Sequence, residues 1–273
     1  MLISKDTPYV KRSNYGTWSI IIAILLVIMI IGLSVYYKSS MPDSATSPVN
    51  NPYTYSVYKS PDEIELHVIK TRPERIRLQA IQNNVTASGK NGINGGFFWQ
   101  QQLLSIAVEH DQPVLGAAGQ YGSGWFNAKY ARGTLVYDQV ADKLSVQVVS
   151  SANEIEVKDR SKYWAQGGIS MDMQRDQVWK KTTMDQNMPF PDDTRLRSAA
   201  VYDYEGNLYL IVTTTKCTAD QFRQAIQSYG TAELHRFTDG IFLDGDGSSQ
   251  LLLPEASLPG DGRPVVQMMS IVE

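Results

Sequence analysis

Residues 239–253 read Asp239-Gly240-Ile241-Phe242-Leu243-Asp244-Gly245-Asp246-Gly247-Ser248-Ser249-Gln250-Leu251-Leu252-Leu253. An apolar triplet runs into two carboxylates, two glycines and two hydroxyls and then returns to an apolar run, which is the pattern of a buried strand, a tight turn and a second strand. The turn therefore gathers its polar groups at one rigid edge. Gly245 and Gly247 are expected to let the backbone take positive φ and to remove side-chain bulk, so that a ligand can approach main-chain N–H groups beside Asp244, Asp246, Ser248 and Ser249.

Working outward, the segments on either side of this turn are short, rich in Val, Ile, Tyr and Thr, and separated by turn residues. Tyr53–Tyr58, Ile64–Lys70, Ile76–Ile81 and Leu103–Glu109 read as strands, and Gly133–Asp138 with Lys143–Ser150 reads as a hairpin. Ala199–Tyr204 pairs naturally with Leu208–Thr213 across Glu205-Gly206-Asn207. One helix stands among them: Thr218 caps Ala219–Tyr229, where Phe222, Ala225 and Ile226 recur three to four apart, and Gly230 is expected to end it. Gly116–Gly124 reads as an exposed loop. The expected fold is α+β, a largely antiparallel sheet covered by a few helices.

The N-terminal part has a different character. Trp18–Tyr37 carries no charge and at about 1.5 Å per residue spans roughly 30 Å, so residues 18–37 read as a transmembrane helix. Lys5, Lys11 and Arg12 precede it and only Lys38 follows closely, which favours residues 1–17 in the cytoplasm and the rest outside. A cleaved signal peptide has the same charged-then-apolar order, but the run is longer than a signal core and the small residues Ala45-Thr46-Ser47 are followed by Pro48. Residues 38–52 read as a linker, leaving 53–273 as one extracytoplasmic domain. Cys217 is the only cysteine in 273 residues, so this domain folds without an internal disulfide. The formal charge is −3, with Lys and Arg scattered, which excludes a basic track for nucleic acid.

Three further segments share the style of the opening one: Asn94-Gly95-Gly96-Phe97-Phe98-Trp99, Gln166-Gly167-Gly168-Ile169 and Arg195-Leu196-Arg197-Ser198-Ala199-Ala200. Each joins a small-residue turn to a strong hydrogen-bonding side chain. If they converge, Asn94, Gln166, Arg197 and Asp244 form a site suited to sugar hydroxyls beside an anionic group.

Taken in order, Asn94-Gly95-Gly96-Phe97-Phe98, Gln166-Gly167-Gly168, Arg197-Ser198-Ala199 with Glu205-Gly206-Asn207-Leu208-Tyr209, and Leu243-Asp244-Gly245-x-Gly247-Ser248-Ser249 resemble the phosphodiester glycosidase family, which has many bacterial cell-surface members. The resemblance spans the chain from about Val85 to its end. It implies a hydrolase that cleaves a sugar–phosphate diester at the glycosidic side. It carries over Asn94 and Arg197 as ligands of the substrate, and Asp244 with Ser248 and Ser249 as the core of the site. The expected catalytic residues are Asp244 and Arg197, and the expected substrate-binding set is Asn94, Gly95, Gln166, Gly245, Gly247, Ser248 and Ser249, with this chain's own Asp246. The family usually has glycine where this chain has Asp246. That extra carboxylate could narrow the pocket, hold a divalent cation together with Asp244, or join the chemistry.

Residue chemistry is compatible with this reading. Breaking an anomeric C–O bond needs charge stabilisation on the leaving phosphate and a carboxylate near the developing oxocarbenium ion; Arg197 suits the first and Asp244 the second. Bland alternatives stand beside it. Asn94 and Gln166 could equally satisfy backbone groups in turns, and Arg195 and Arg197 could be surface ion pairs, only one of which would face the site. Asp244, Asp246, Ser248, Gln250 and Glu255 have the spacing of a calcium loop, but Ser249 occupies the position that needs glycine. His67, His110 and His235 lack ligand spacing. A non-catalytic glycan-binding module on the cell surface is the competing function, and release of sugar from a sugar-1-phosphodiester separates it from the enzyme.

Overall fold

The computed structural model describes residues 51–272, which form one compact unit, and, in the unit that precedes it, Met29. The expected transmembrane helix, its flanks and nearly all of the linker lie outside the described residues. Among the described residues no helix is long and apolar enough to cross a membrane.

The first strands of the domain are β1 (Tyr53–Lys59), β2 (Glu65–Thr71), β3 (Ile76–Asn83), β4 (Gly92–Asn94), β5 (Phe98–Trp99), β6 (Gln102–Leu103), β7 (Ala107–Glu109) and β8 (Gln112–Pro113). There follow β9 (Arg132–Asp138), β10 (Lys143–Val149), β11 (Tyr163–Gly167), β12 (Ile169–Ser170), helix α1 (Trp179–Asp185), β13 (Ser198–Asp203) and β14 (Leu208–Thr213). Helix α2 (Ala219–Ala232), β15 (Phe237–Phe242), β16 (Leu251–Leu252), β17 (Ser257–Leu258) and β18 (Val265–Ile271) complete it. The strands build a six-stranded sheet in the order β1-β2-β14-β13-β15-β12, two five-stranded sheets in the orders β10-β9-β11-β7-β8 and β17-β16-β4-β18-β3, and the small pair β5-β6. The described pairings are antiparallel, as the α+β expectation required.

The inner strands β13 and β14 of the six-stranded sheet are buried on both faces, which is why β14 reads as an unbroken apolar run, Leu-Tyr-Leu-Ile-Val-Thr. Its inner side chains, Leu208, Leu210 and Val212 with Ala200 and Ile241, enter the central core with Ile93, Leu135 and Met269 of the other sheets. Its outer side chains, Tyr209, Ile211, Ala199 and Val201, meet Trp179 of α1 and Phe222, Ala225, Ile226 and Tyr229 of α2. Alternation along each strand thus assigns one set of residues to each layer.

Helix α2 begins as read from the sequence, with Thr218 accepting from the Gln221 N–H and Gln221 reaching back to the Thr218 N–H in a capping box. Its end differs: the helix continues through Gly230 to Ala232. Gly230 answers a packing need, because a Cβ there would lie 2.8 Å from the Phe237 ring. The two hairpins form as expected, β9 with β10 and β13 with β14. The expected strand Leu103–Glu109 is broken in two. Between its halves the Leu104 N–H donates to the Phe97 carbonyl at 2.8 Å, and the Ser105 hydroxyl accepts from the Phe97 N–H at 2.9 Å, which diverts the chain from a regular ladder.

Candidate active site

The Asp239–Leu253 stretch joins two sheets: β15 belongs to the six-stranded sheet and β16 to a five-stranded one. The crossing is fixed by main-chain bonds, from Leu243 N–H to Ser198 carbonyl at 2.9 Å, Asp244 N–H to Gly95 carbonyl at 3.2 Å, and Asp246 N–H to Leu196 carbonyl at 2.8 Å. The turn is therefore held by the segments around Asn94 and Arg197 that the sequence had set apart. A cavity of about 350 Å³ opens beside it, lined among others by Trp99, Phe190, Arg195, Arg197, Asp244 and Arg263.

The glycines serve in a different way from that expected. Gly245 has φ −120°, and the left-handed residue of the turn is Asp246, with φ 56°. Both glycines instead permit close approach: a Cβ on Gly245 would lie 3.0 Å from the Leu196 carbonyl oxygen, and one on Gly247 would lie 2.1 Å from Asp261 Oδ2.

The expected ligands separate into two groups. Asp244, Gly245, Asp246, Ser248 and Arg197 line the cavity. Asn94 does not, although it is adjacent in the fold and only 1% exposed. Its Nδ2 donates to the Asp244 carbonyl at 2.9 Å and the Gly95 carbonyl at 3.1 Å, while Oδ1 accepts from Ser198 Oγ at 2.9 Å and the Gln250 N–H at 3.1 Å. Two donors and two acceptor positions are thereby used. Asn94 ties the turn to β13 and β16. Gln166 is likewise enclosed: its Nε2 donates to the carbonyls of Ile106 and Gly167, and its Oε1 accepts from Gln267 Nε2 at 2.9 Å. Gly95 faces Gln267, whose Oε1 would be 1.6 Å from an added Cβ. Ser249 is buried away from the cavity lining, and its hydroxyl has no hydrogen-bond partner among the described residues.

Both Arg195 and Arg197 line the cavity, correcting the expectation that one of the pair would turn away. Residues two apart along an extended segment lie on the same side, and this segment bridges to Cys217 in antiparallel fashion through Arg195. Their surroundings differ. Arg195 is engaged by carboxylates, with Nη1 on Asp246 at 2.8 Å and Nη2 on Asp193 at 2.9 Å, and its guanidinium stacks 4.0 Å from the Phe190 ring centroid. Arg197 is anchored only by carbonyls: Nε donates to Cys217 at 3.1 Å, and Nη2 to Phe190 at 2.9 Å and Asp193 at 2.7 Å. Among the described residues its Nη1 has no hydrogen-bond partner.

Asp244 is also without an ion-pair partner among the described residues. Withdrawal from water pushes its carboxyl up to about 6, opposed by the Ser248 hydroxyl, the Gly245 N–H at 3.0 Å and the charge of Arg263, and reinforced by Asp246. Burial lowers the Arg197 guanidinium from its ordinary value. Each of these groups holds its charge at a cost, which a ligand of complementary charge would relieve.

The other polar residues have settled roles. The Asp246 carboxylate faces Arg195, and three guanidinium groups line the cavity, so the donor set does not suit a divalent cation shared by Asp244 and Asp246. No group of three or more His, Cys, Asp or Glu side chains with metal-binding geometry occurs among the described residues. None of the three histidines lines the cavity; His67 bonds Tyr55 and Glu65, and His235 packs against Tyr209. Cys217 is buried beneath Arg197, and desolvation pushes its thiol up to about 11, as suits a small packed side chain. Arg263 and Phe190 were not singled out by the sequence, because neither has a local pattern that distinguishes it from a surface residue.

No protein-family model matches the sequence, and no curated protein matches it. Among solved structures, the fold is similar to that of the catalytic domain of zebrafish N-acetylglucosamine-1-phosphodiester α-N-acetylglucosaminidase, auto-inhibited by its pro-peptide. The TM-score is 0.58, with 13% identity over 81% of this chain and 82% of that one. A hypothetical protein from Synechocystis also matches, with TM-score 0.44 and 12% identity over 80% of this chain and 61% of that one. At 13% identity the likeness to the zebrafish catalytic domain is one of fold.

Proposed function

We propose that the domain is a hydrolase that cleaves a glycosyl phosphodiester, releasing the sugar and leaving a phosphomonoester. The observation that carries this reading is an unpaired carboxylate, Asp244, and a guanidinium without a carboxylate partner, Arg197, facing one cavity. A glycosyl phosphodiester places a negative phosphate next to an anomeric carbon that becomes positive as its C–O bond breaks. Arg197 Nη1 is available to a phosphate oxygen, and the Asp244 carboxylate to the developing oxocarbenium ion. The fold shared with a phosphodiester glycosidase supports the same reaction class.

In this mechanism the anomeric C–O bond breaks and the phosphate departs with the bonding pair. Water then adds to the anomeric carbon and gives a proton to Asp244, whose raised affinity for protons suits a base working near neutrality. Phosphate is a good leaving group, so the reaction can proceed without a histidine acid. Trp99, 68% exposed at the rim, offers a flat apolar face to a sugar ring. The apolar run at residues 18–37 would tether the site beside a surface glycopolymer, which defines the substrate class expected.

The test is release of free sugar from a sugar-1-phosphodiester by residues 51–273. The wild type releases sugar, and Asp244→Asn abolishes release while keeping the wild-type melting profile. Binding without turnover by the wild type across several such substrates would convert the reading to a glycan-binding module.

A further inference from the structure

The turn Pro259–Arg263, outside every motif singled out in the sequence, delivers Arg263 into the same cavity. Three observations show that this placement is built. Asn84 Nδ2 donates to the Pro259 carbonyl at 2.9 Å and the Arg263 carbonyl at 3.1 Å, and Gln250 Nε2 donates to the Arg263 carbonyl at 2.8 Å and the Gly247 carbonyl at 3.2 Å. Both amides are buried, so the turn is stapled from below to the segment that carries Asp244. Gly247 leaves room for the Asp261 carboxylate, which occupies the volume its Cβ would fill. Asp261 in turn grips the arginine: Arg263 Nε donates to both carboxylate oxygens at 2.9 Å, and Nη2 donates to Oδ2.

Arg263 Nη1 is left without a hydrogen-bond partner among the described residues. Arg197 has the same arrangement, with Nε and Nη2 consumed by anchors and Nη1 free. In Arg195, by contrast, Nη1 is taken by Asp246. Two anchored guanidinium groups on different segments of the fold thus line a single cavity, each with one donor nitrogen unused among the described residues, Arg197 buried and Arg263 half-exposed.

We infer that Arg263 is a substrate ligand that forms, with Arg197, a two-arginine clamp for one phosphate group. The role rests on the proposed phosphodiester reading for its place in catalysis, but the clamp itself binds phosphate whether or not turnover follows. Two nitrogen donors from separate segments orient a tetrahedral anion where a single arginine would leave it free to rotate. Asp261 acts through Arg263 as a positioning residue, and Gly247 keeps the space that Asp261 needs.

The probe is inorganic phosphate, titrated calorimetrically into the full-length chain in detergent, alongside sugar release from a sugar-1-phosphodiester. Arg263→Gln and Arg197→Gln are each expected to weaken phosphate binding about tenfold, the scale of one charge-assisted hydrogen bond. Arg263→Lys restores part of the loss, because it keeps the charge but not the anchored fork. Unchanged melting temperature in Arg263→Gln separates lost binding from lost folding; if that variant is unstable, Arg263→Lys carries the comparison. The inference is overturned if Arg263→Gln binds phosphate as tightly as the wild type while Arg197→Gln does not. Phosphate binding that depends on Arg263 without sugar release would sink the hydrolase reading and leave the clamp standing.

Discussion

Asp246 and Arg195 form an ion pair, with 2.8 Å between carboxylate Oδ2 and Nη1, at the edge of the candidate active site. The carboxylate that sets this chain apart from the family it resembles is thereby matched by a guanidinium from the facing segment, and Asp244 remains unpaired. Asp246 also occupies left-handed backbone at φ 56°, a conformation that glycine adopts without strain.

Asp246→Gly should therefore be nearly neutral for folding. Loss of a partly exposed ion pair costs at most about 1 kcal/mol, and removal of the left-handed strain offsets it. Arg195 is released toward the cavity, so the KM for a sugar-1-phosphodiester is expected to fall about threefold, the scale of one partly solvated charge contact. Steady-state kinetics and a urea titration check both statements. Loss of activity in this variant would show that Asp246 takes part in the chemistry.

The pH dependence follows from Asp244, whose carboxyl is raised from the ordinary 3.8 to about 6. The folded protein holds the proton more tightly than the unfolded chain, so the associated stability is complete below about pH 3.8 and is lost as pH rises through about 6. Activity runs the other way: kcat/KM should increase through about pH 6 as the carboxylate forms. Asp244→Asn removes the cost of a charge partly withdrawn from water and is expected to be at least as stable as the wild type at pH 7.5 while inactive. A kcat/KM profile that falls on passing pH 6 would assign Asp244 the role of acid.

Asn94 is expected to govern stability more than substrate affinity. Asn94→Ala strands the Ser198 hydroxyl, the Gln250 N–H and two carbonyls, at a cost of about 2–5 kcal/mol. Chemical denaturation measures the loss. A variant that keeps wild-type stability but has a raised KM would place Asn94 at the substrate instead.

Gly95→Ala introduces a methyl where buried Gln267 sits, with 1.6 Å to its Oε1. The side chain must shift and give up its bonds to the Gly96 N–H at 3.2 Å and Gln166 at 2.9 Å. The expected destabilisation is about 1–3 kcal/mol, measured by thermal or chemical unfolding, and equal stability would show that the site tolerates repacking.

Trp99→Ala should leave folding within about 0.5 kcal/mol of the wild type, since the side chain is 68% exposed. Its effect is expected on KM for a glycosyl substrate, with inorganic phosphate affinity unchanged. Equal KM values would remove Trp99 from the sugar site.

Much of the architecture could be read directly from the chain because it depends on local periodicity. Alternation located β1, β2, β9, β10, β13 and β14, turn residues located the β9–β10 and β13–β14 hairpins, and Thr218 marked the start of α2. The four polar turns were also recognisable as a set, and their order along the chain supported the family resemblance. The direction in which each polar side chain points was not legible. Asn94, Gln166 and Arg197 look alike in sequence, each a hydrogen-bonding residue beside small ones at a strand end. Yet Asn94 and Gln166 turn inward to satisfy buried backbone and side-chain groups, whereas Arg197 reaches the cavity.

That division arises from the assembled fold, because it depends on which donors and acceptors arrive from distant segments. Gln250, Ser198 and the Asp244 carbonyl take three of the four hydrogen-bonding positions of Asn94, and none of the three is its neighbour in the chain; the fourth goes to the adjacent Gly95 carbonyl. The same reason conceals Arg263: its anchors are Asp261 beside it and Asn84 and Gln250 far from it, and only their meeting brings this residue to the cavity. The long alternating strands, the start of the capped helix and the turn that carries Asp244 are written in local pattern; assembly of the sheets sets which of the polar residues are left with a charge or a donor for a ligand, since hydrogen-bond satisfaction is settled across the fold rather than along the chain.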